Sequence, residues 1–309
     1  DVRLHSGAGR FTTVDMRTMS WQELGYSSGE ISLNSLLTDN VIELSDAVVD
    51  LELIVERLIR GGWPGLLSSS TDEALLVNRA YVDLIAESDM RRVSNVKRDP
   101  LKVKNIFRSL ARHTATMVAK TTIVKDIKDN GNETMSRPTV DDYLNALERL
   151  MIIEDQPAWN THLRSSAALR KSPKRHFTDP SLAVAALGAD KSMLLRDVEF
   201  TGFLFESLVT HDLRVYAQAS DARVFHYSDS TGLEVDAIVQ KRSGDWAAFE
   251  VKLGMGRVDE AASNLKAMVN RLDEKRVGNP KSLNIIVGTG LSHIRPDGVN
   301  VISLASLGI

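Results

Sequence analysis

Cysteine is absent, so neither disulfides nor thiolate zinc centres hold this chain together. The seven histidines show no metal-ligand spacing. No apolar run approaches the roughly 18 residues that a membrane-spanning helix needs, and no signal-peptide pattern opens the sequence. A cytoplasmic protein without a membrane partner is expected. A phosphate-binding loop is missing too. Ser6-Gly7-Ala8-Gly9-Arg10 is glycine-rich, but a Gly-x-x-x-x-Gly-Lys-Ser/Thr loop needs its lysine at the phosphates. This chain alone is not expected to hydrolyse ATP. Excess charge is also lacking. The formal net charge is -3, so any case for nucleic acid must come from how charge is distributed.

What is present is 309 residues of ordinary content, 43% hydrophobic and 26% charged, enough for two or three domains. The most informative stretch is 223 to 254. Apolar runs Val224 to Tyr227, Leu233 to Val239 and Trp246 to Leu253 are separated by turn-rich segments and read as three strands. Charged pairs interrupt two of them: Glu234 with Asp236, then Glu250 with Lys252. Residues two apart on a strand share a face. A hairpin that pairs Gln240 with Trp246 sets Asp236 opposite Glu250 and Glu234 opposite Lys252. Three carboxylates and one ammonium then share a patch one strand spacing wide, roughly 4.7 Å. Like charges at that range repel. A hard dication such as Mg²⁺ relieves the conflict, because it takes carboxylate oxygens plus water, and a neighbouring lysine suits a metal-bound water.

Asp236, followed by Glu250-Val251-Lys252 at the end of the next strand, resembles the D…(D/E)XK signature of the PD-(D/E)XK, restriction-endonuclease-like nucleases. The resemblance implies a core of helix, three-strand meander, helix and strand. Glu199 to Ala219, Asp259 to Glu274 and Leu283 to Gly288 supply its remaining parts. It also implies roles. Asp236 and Glu250, with the Val251 carbonyl, would hold Mg²⁺ or Mn²⁺, and Lys252 would orient the attacking water. Glu206 on the first helix would hold a metal-bound water. Glu234 would be a further ligand or the salt-bridge partner of Lys252. Val235 stands where many of these proteins have proline.

The rest of the chain reads mainly as helix. Asp46 is the expected cap of a helix over 47–60, ended by Gly61-Gly62, and Asp72 of one over 73–92 with Leu75, Leu76, Tyr81, Leu84 and Ile85 inward. Leu101 to His113, a shorter helix from Thr121 or Thr122 to Ile127 and a Ser/Thr-capped helix from Ser136 to Leu150 precede the strand at 151–159. That is the order of a winged helix-turn-helix. Arg137, Thr139 and Asp142, at the start of the recognition helix, would then be the DNA readers, although Asp141 and Asp142 would repel phosphates there. Between Leu101 and Thr178, fourteen basic residues face eight acidic ones, an arrangement that favours phosphate contacts. Lys174 and Arg175, in a basic segment with Arg164, Arg170 and Lys171, are further DNA-binding candidates. A protein-docking role for the winged helix fits the same pattern.

Met16 to Glu23, Ser27 to Leu33, Arg60-Gly61-Gly62-Trp63-Pro64, Asp179-Pro180-Ser181-Leu182, Phe205-Glu206-Ser207-Leu208 and Leu233-Glu234-Val235-Asp236 together resemble a bacterial group of predicted AAA+ ATPases. In that group an ATPase is followed by a winged helix and a nuclease-related domain of unknown function. The resemblance implies that ATP and the Walker motifs belong to a half upstream of Asp1. It also implies that Arg10 or Arg60 senses a neighbour's phosphates, unless each is simply a surface arginine. The expected organisation is the end of an ATPase core and start of its lid (1–65), helical lid and winged helix (66–160), basic linker (161–195) and restriction-endonuclease-like α/β domain (196–309). Two functions are open: a DNA-directed, metal-dependent phosphodiesterase module, or a catalytically inactive regulatory module that binds DNA, a protein partner or a second copy of itself.

Overall fold

In a computed structural model of the chain, residues 14–38, 45–90, 98–131, 135–160 and 172–309 are described. Arg10 and its glycine turn, and Arg164, Arg170 and Lys171, lie outside them. The fold is mixed: a helical first part, then an α/β part built on a six-stranded sheet. Among the described residues, no helix is long and apolar enough to cross a membrane.

Helix starts follow side-chain chemistry, with two corrections. Asp50, not Asp46, accepts the Leu53 N–H and opens Leu51–Arg60, and Val48, ahead of it, is left 55% exposed. Ser70, not Asp72, caps Thr71–Leu84 through a reciprocal box with Glu73. The helix then widens into a π-turn at Ile85–Asp89, and Leu76 and Leu84, expected inward, are 70% and 53% exposed.

Pro100–Arg112, Lys120–Gly131 and Arg137–Arg149 form the tri-helical unit, the last capped by Ser136 with a proline in its first turn. After it, Ile153 bridges Phe177 and Gln156 bridges Lys174, both antiparallel. Three helices closed by an antiparallel pair is the winged-helix order. The pairing draws Lys174 to Phe177, from the expected linker, into that unit, and the Phe177 ring stacks on Phe107 at 5.6 Å.

β1 (Ile31–Ser32) pairs in parallel with β8 (Leu307–Gly308), seating the first described segment on the end of the chain. The large sheet runs in the order β2 (Ala222–Ser228), β3 (Glu234–Lys241), β4 (Trp246–Lys252), β5 (Leu283–Val287), β7 (Asn300–Ser303), β6 (His293–Ile294). The β3–β4 hairpin has the expected register, Gln240 opposite Trp246 through Ala237 opposite Phe249. Helix Val198–Ala219 packs on one face, against Ala237, Val239 and Phe249, and helix Val258–Arg271 on the other, against Ile238, Ala248 and Ile285. The acids and Lys252 thus sit at one end of a sheet covered on both sides.

A buried polar knot ties the first segment down. Arg57, 2% exposed, donates from Nη2 to the Met19 carbonyl at 2.8 Å. Asp179 Oδ2 accepts Gly62 N–H at 2.7 Å and Thr18 Oγ1 at 2.8 Å, and Asp212 Oδ2 accepts Trp21 N–H at 2.9 Å. Burial opposes charge on Asp179, yet Arg57 and His211 outweigh it and hold the carboxyl below its ordinary range. Gly62 lets these backbones meet, because a Cβ there would overlap the Met19 backbone and lie 2.8 Å from Arg57 Nη2. Gly62→Ala is expected to lower the unfolding free energy by about 1–3 kcal/mol through overpacking. Gly65→Ala, where a Cβ meets open space, is the control in urea denaturation and should shift it far less.

Candidate functional site

Asp236 marks the point where the β3–β4 ladder stops being a backbone affair. Paired residues end at Ala237 and Phe249, and beyond them the Asp236 side chain accepts the Val251 N–H at Oδ2, 2.9 Å away. The Asp236 carbonyl in turn accepts Gln156 Nε2 at 2.9 Å. The strands diverge there, so Glu234 ends up exposed at the mouth of the cleft. It is not the partner of Lys252. That lysine pairs instead with Glu250 Oε2 at 2.6 Å and Asp236 Oδ2 at 3.5 Å.

Glu206 projects from helix Val198–Ala219, which is buried nearly all round rather than along one stripe. The residue is 8% exposed, and its carboxylate meets the cluster from the helix side. The bond it makes is to Lys174: Nζ lies 2.5 Å from Glu206 Oε1 and 3.0 Å from Asp236 Oδ1. Lys174 is 3% exposed. It was expected to meet DNA, and here it is a structural cation of the acid cluster. Arg175, on the opposite side of the same segment, is also buried and pairs with Asp155. Neither side chain is presented to a phosphate.

The electrostatics follow from burial. Desolvation first, then the charge of Asp236, pushes Glu250 up to about 8 and Glu206 up to about 7. Desolvation also opposes charge on Asp236, but Lys174, Lys252 and the Val251 N–H overcome it and hold that carboxyl well below its usual range. For Lys174 burial would favour loss of the proton, and Asp236 and Glu206 reverse this, raising the ammonium's pKa. Three carboxyl groups thus face two ammonium groups, and burial favours a proton on the glutamates.

The set does not fit the expected Mg²⁺ or Mn²⁺ as it stands. Lys174 occupies the position between Glu206 and Asp236 that a bridging cation would need, and the second Asp236 oxygen is committed to Val251. Among the described residues, no three His, Asp or Glu side chains form a group able to hold a metal ion. The cluster lies at the floor of a cleft of about 760 Å³ whose walls include Thr116, Met117, Phe203 and Arg257.

Helix Arg137–Arg149, expected to be the recognition helix, presents Arg137 to solvent. The Thr139 hydroxyl is turned to Ser136 Oγ, 2.8 Å away, within the helix cap. Asp141 is paired with Lys120 at 2.7 Å and Asp142 with Arg98 at 2.9 Å. The acids that argued against phosphate at this helix start are therefore neutralised, and Asp142 is engaged inside the unit.

Residues 51–193 match the model of a domain of unknown function, DUF8612, and residues 201–307 that of another, DUF4143. The second is typically found in AAA-ATPase-associated proteins. No curated protein and no solved structure matches the chain. Lys174 belongs to the first matched region and its acid partners to the second.

Two outcomes follow from the cluster. Removing the central acid with Asp236→Ala leaves Lys174 short of a partner in a buried site, and a loss of about 3–5 kcal/mol in unfolding free energy is expected, read by chemical denaturation. For pH, the folded pKa of Glu250 near 8 lies above its unfolded value of 4.5, so the folded state binds the extra proton. Stability from this group is present below pH 4.5 and declines as pH rises towards 8, by at most about 1.4 kcal/mol per pH unit for one proton. Asp236, with its lowered pKa, acts in the opposite sense: its contribution is present above the unfolded value of 3.8 and is lost in acid. Glu250→Gln should make the decline between pH 5 and 8 shallower in thermal melts. An unchanged slope would refute the assignment.

Proposed function

We propose that this chain is a DNA-directed regulatory module of an AAA-ATPase-associated protein, whose nuclease-like α/β unit is chemically silent in the state described. The observation that carries this reading is the Lys174 ammonium seated between Glu206 and Asp236, which leaves the acid set satisfied from within. The winged-helix order, the exposed Arg137 and the neutralisation of Asp141 and Asp142 support DNA as the partner. ATP, on this reading, is handled by a different part of the protein.

A second reading, metal-dependent phosphodiester cleavage, is favoured by one observation: Glu206, Asp236 and Lys252 line the floor of a single cleft, with Glu250 bonded to Lys252 behind them. Plasmid and branched DNA incubated with Mg²⁺ or Mn²⁺ separate the two. The regulatory reading expects no cleavage by wild type, together with DNA binding that weakens with salt. It further expects Arg137→Ala to reduce that salt slope by about one. Metal-dependent cleavage that disappears in Lys252→Ala would establish the second reading instead. Binding unaffected by both salt and Arg137→Ala would move the partner from DNA to protein.

A further inference from the structure

We propose that Lys174 sets the cation preference of the cleft: its ammonium replaces a divalent ion between Glu206 and Asp236, and the backbone bridge to Gln156 holds it there. This deepens the regulatory reading above and rests on it.

The placement of Lys174 is imposed by its backbone. Lys174 and Gln156 exchange two backbone hydrogen bonds, at 3.0 and 2.9 Å, and Arg175 exchanges two more with the Ala115–Thr116 turn, at 2.8 and 3.0 Å. His176, 2% exposed, lies within hydrogen-bonding distance of Ser207 Oγ at 3.0 Å and Gln156 Oε1 at 3.1 Å. The two bridged segments thus hold Asp236 from two sides. Gln156 takes its carbonyl and Lys174 its carboxylate. The lysine is aimed at the acids by a fixed ladder, and it reaches from one matched region of the chain into the other.

Charge decides what the ammonium excludes. With Lys174 present, three carboxylates face two ammonium groups. Without it they face Lys252 alone. Clustered, desolvated oxygen donors with that imbalance repel one another and favour a hard dication with its residual waters. An uncharged side chain of similar length at position 174 removes that cation and leaves Asp236 and Glu206 with Lys252 as the remaining ammonium of the cluster.

The test uses the full chain with Lys174→Met, which keeps the length and removes the charge, and Lys174→Arg, which keeps the charge. Mn²⁺ binding is measured by electron paramagnetic resonance and by the metal-induced shift in melting temperature. Lys174→Met should bind Mn²⁺ about 10–100-fold more tightly than wild type, the range associated with altering the surroundings of a metal site. Adding Asp236→Asn should abolish the gain, and Lys174→Arg should show none. If Lys174→Met is unfolded without metal, Mn²⁺ should restore its helical circular dichroism. A folded Lys174→Met with wild-type Mn²⁺ affinity overturns the proposal. So does an unfolded one that Mn²⁺ fails to rescue, or a gain in Lys174→Arg equal to that in Lys174→Met. Metal-dependent DNA cleavage by wild type would instead remove the regulatory reading itself, whereas a silent wild type with an unresponsive Lys174→Met removes this inference alone.

Discussion

One buried ammonium group holds the middle of this molecule together. Placing Glu206, Asp236 and Glu250 in a desolvated cleft costs several kcal/mol per ion unless opposite charge arrives with good geometry. Lys252 comes from the same strand as Glu250 and satisfies part of the demand. Lys174 comes from the other half of the chain and satisfies the rest, at 2.5 and 3.0 Å. Because the pair is charged and buried, breaking it is expensive. The cluster therefore ties the segment that carries Lys174 to the helix and sheet that carry Glu206 and Asp236.

Helix Val198–Ala219 is the element that makes both polar centres possible. It is buried on almost every side, including Glu206, Ser207, Thr210, His211, Asp212 and Arg214. A buried polar group must find a partner or destabilise the fold, and, Thr210 apart, these side chains find theirs in separate directions. Glu206 and Ser207 meet the segment at 174–176 through Lys174 and His176, whereas His211 and Asp212 meet the first described segment at Thr18 and Trp21. Arg214 donates to the Glu154 carbonyl, closing the remaining side. The helix works as a polar spine joining three parts of the chain.

The local elements were largely legible. The Ser136 cap, the end of helix Leu51–Arg60 at Gly61 and the β3–β4 register follow from side-chain oxygens, positive-φ glycine and two-residue alternation. These depend on neighbours a few residues apart. Errors arose where a longer-range partner intervened. Glu234 was set opposite Lys252 by extending the ladder, but the Asp236 carboxylate takes the Val251 N–H and ends it. Lys174 and Arg175 looked like surface cations because their segment is basic. Alternation puts them on opposite sides of a strand, yet nothing within the segment says that both sides are covered.

The sequence by itself determined which residues are acidic and on which elements they ride, because strand and helix periodicities are local properties of the chain. Only the tertiary structure decided what neutralises them. Lys174 and Asp236 are brought to 3.0 Å by the Gln156 bridge and the packing of two regions, and no spacing along the chain encodes that distance. A dication and an ammonium group satisfy the same carboxylates, so the choice between them belongs to three-dimensional contact.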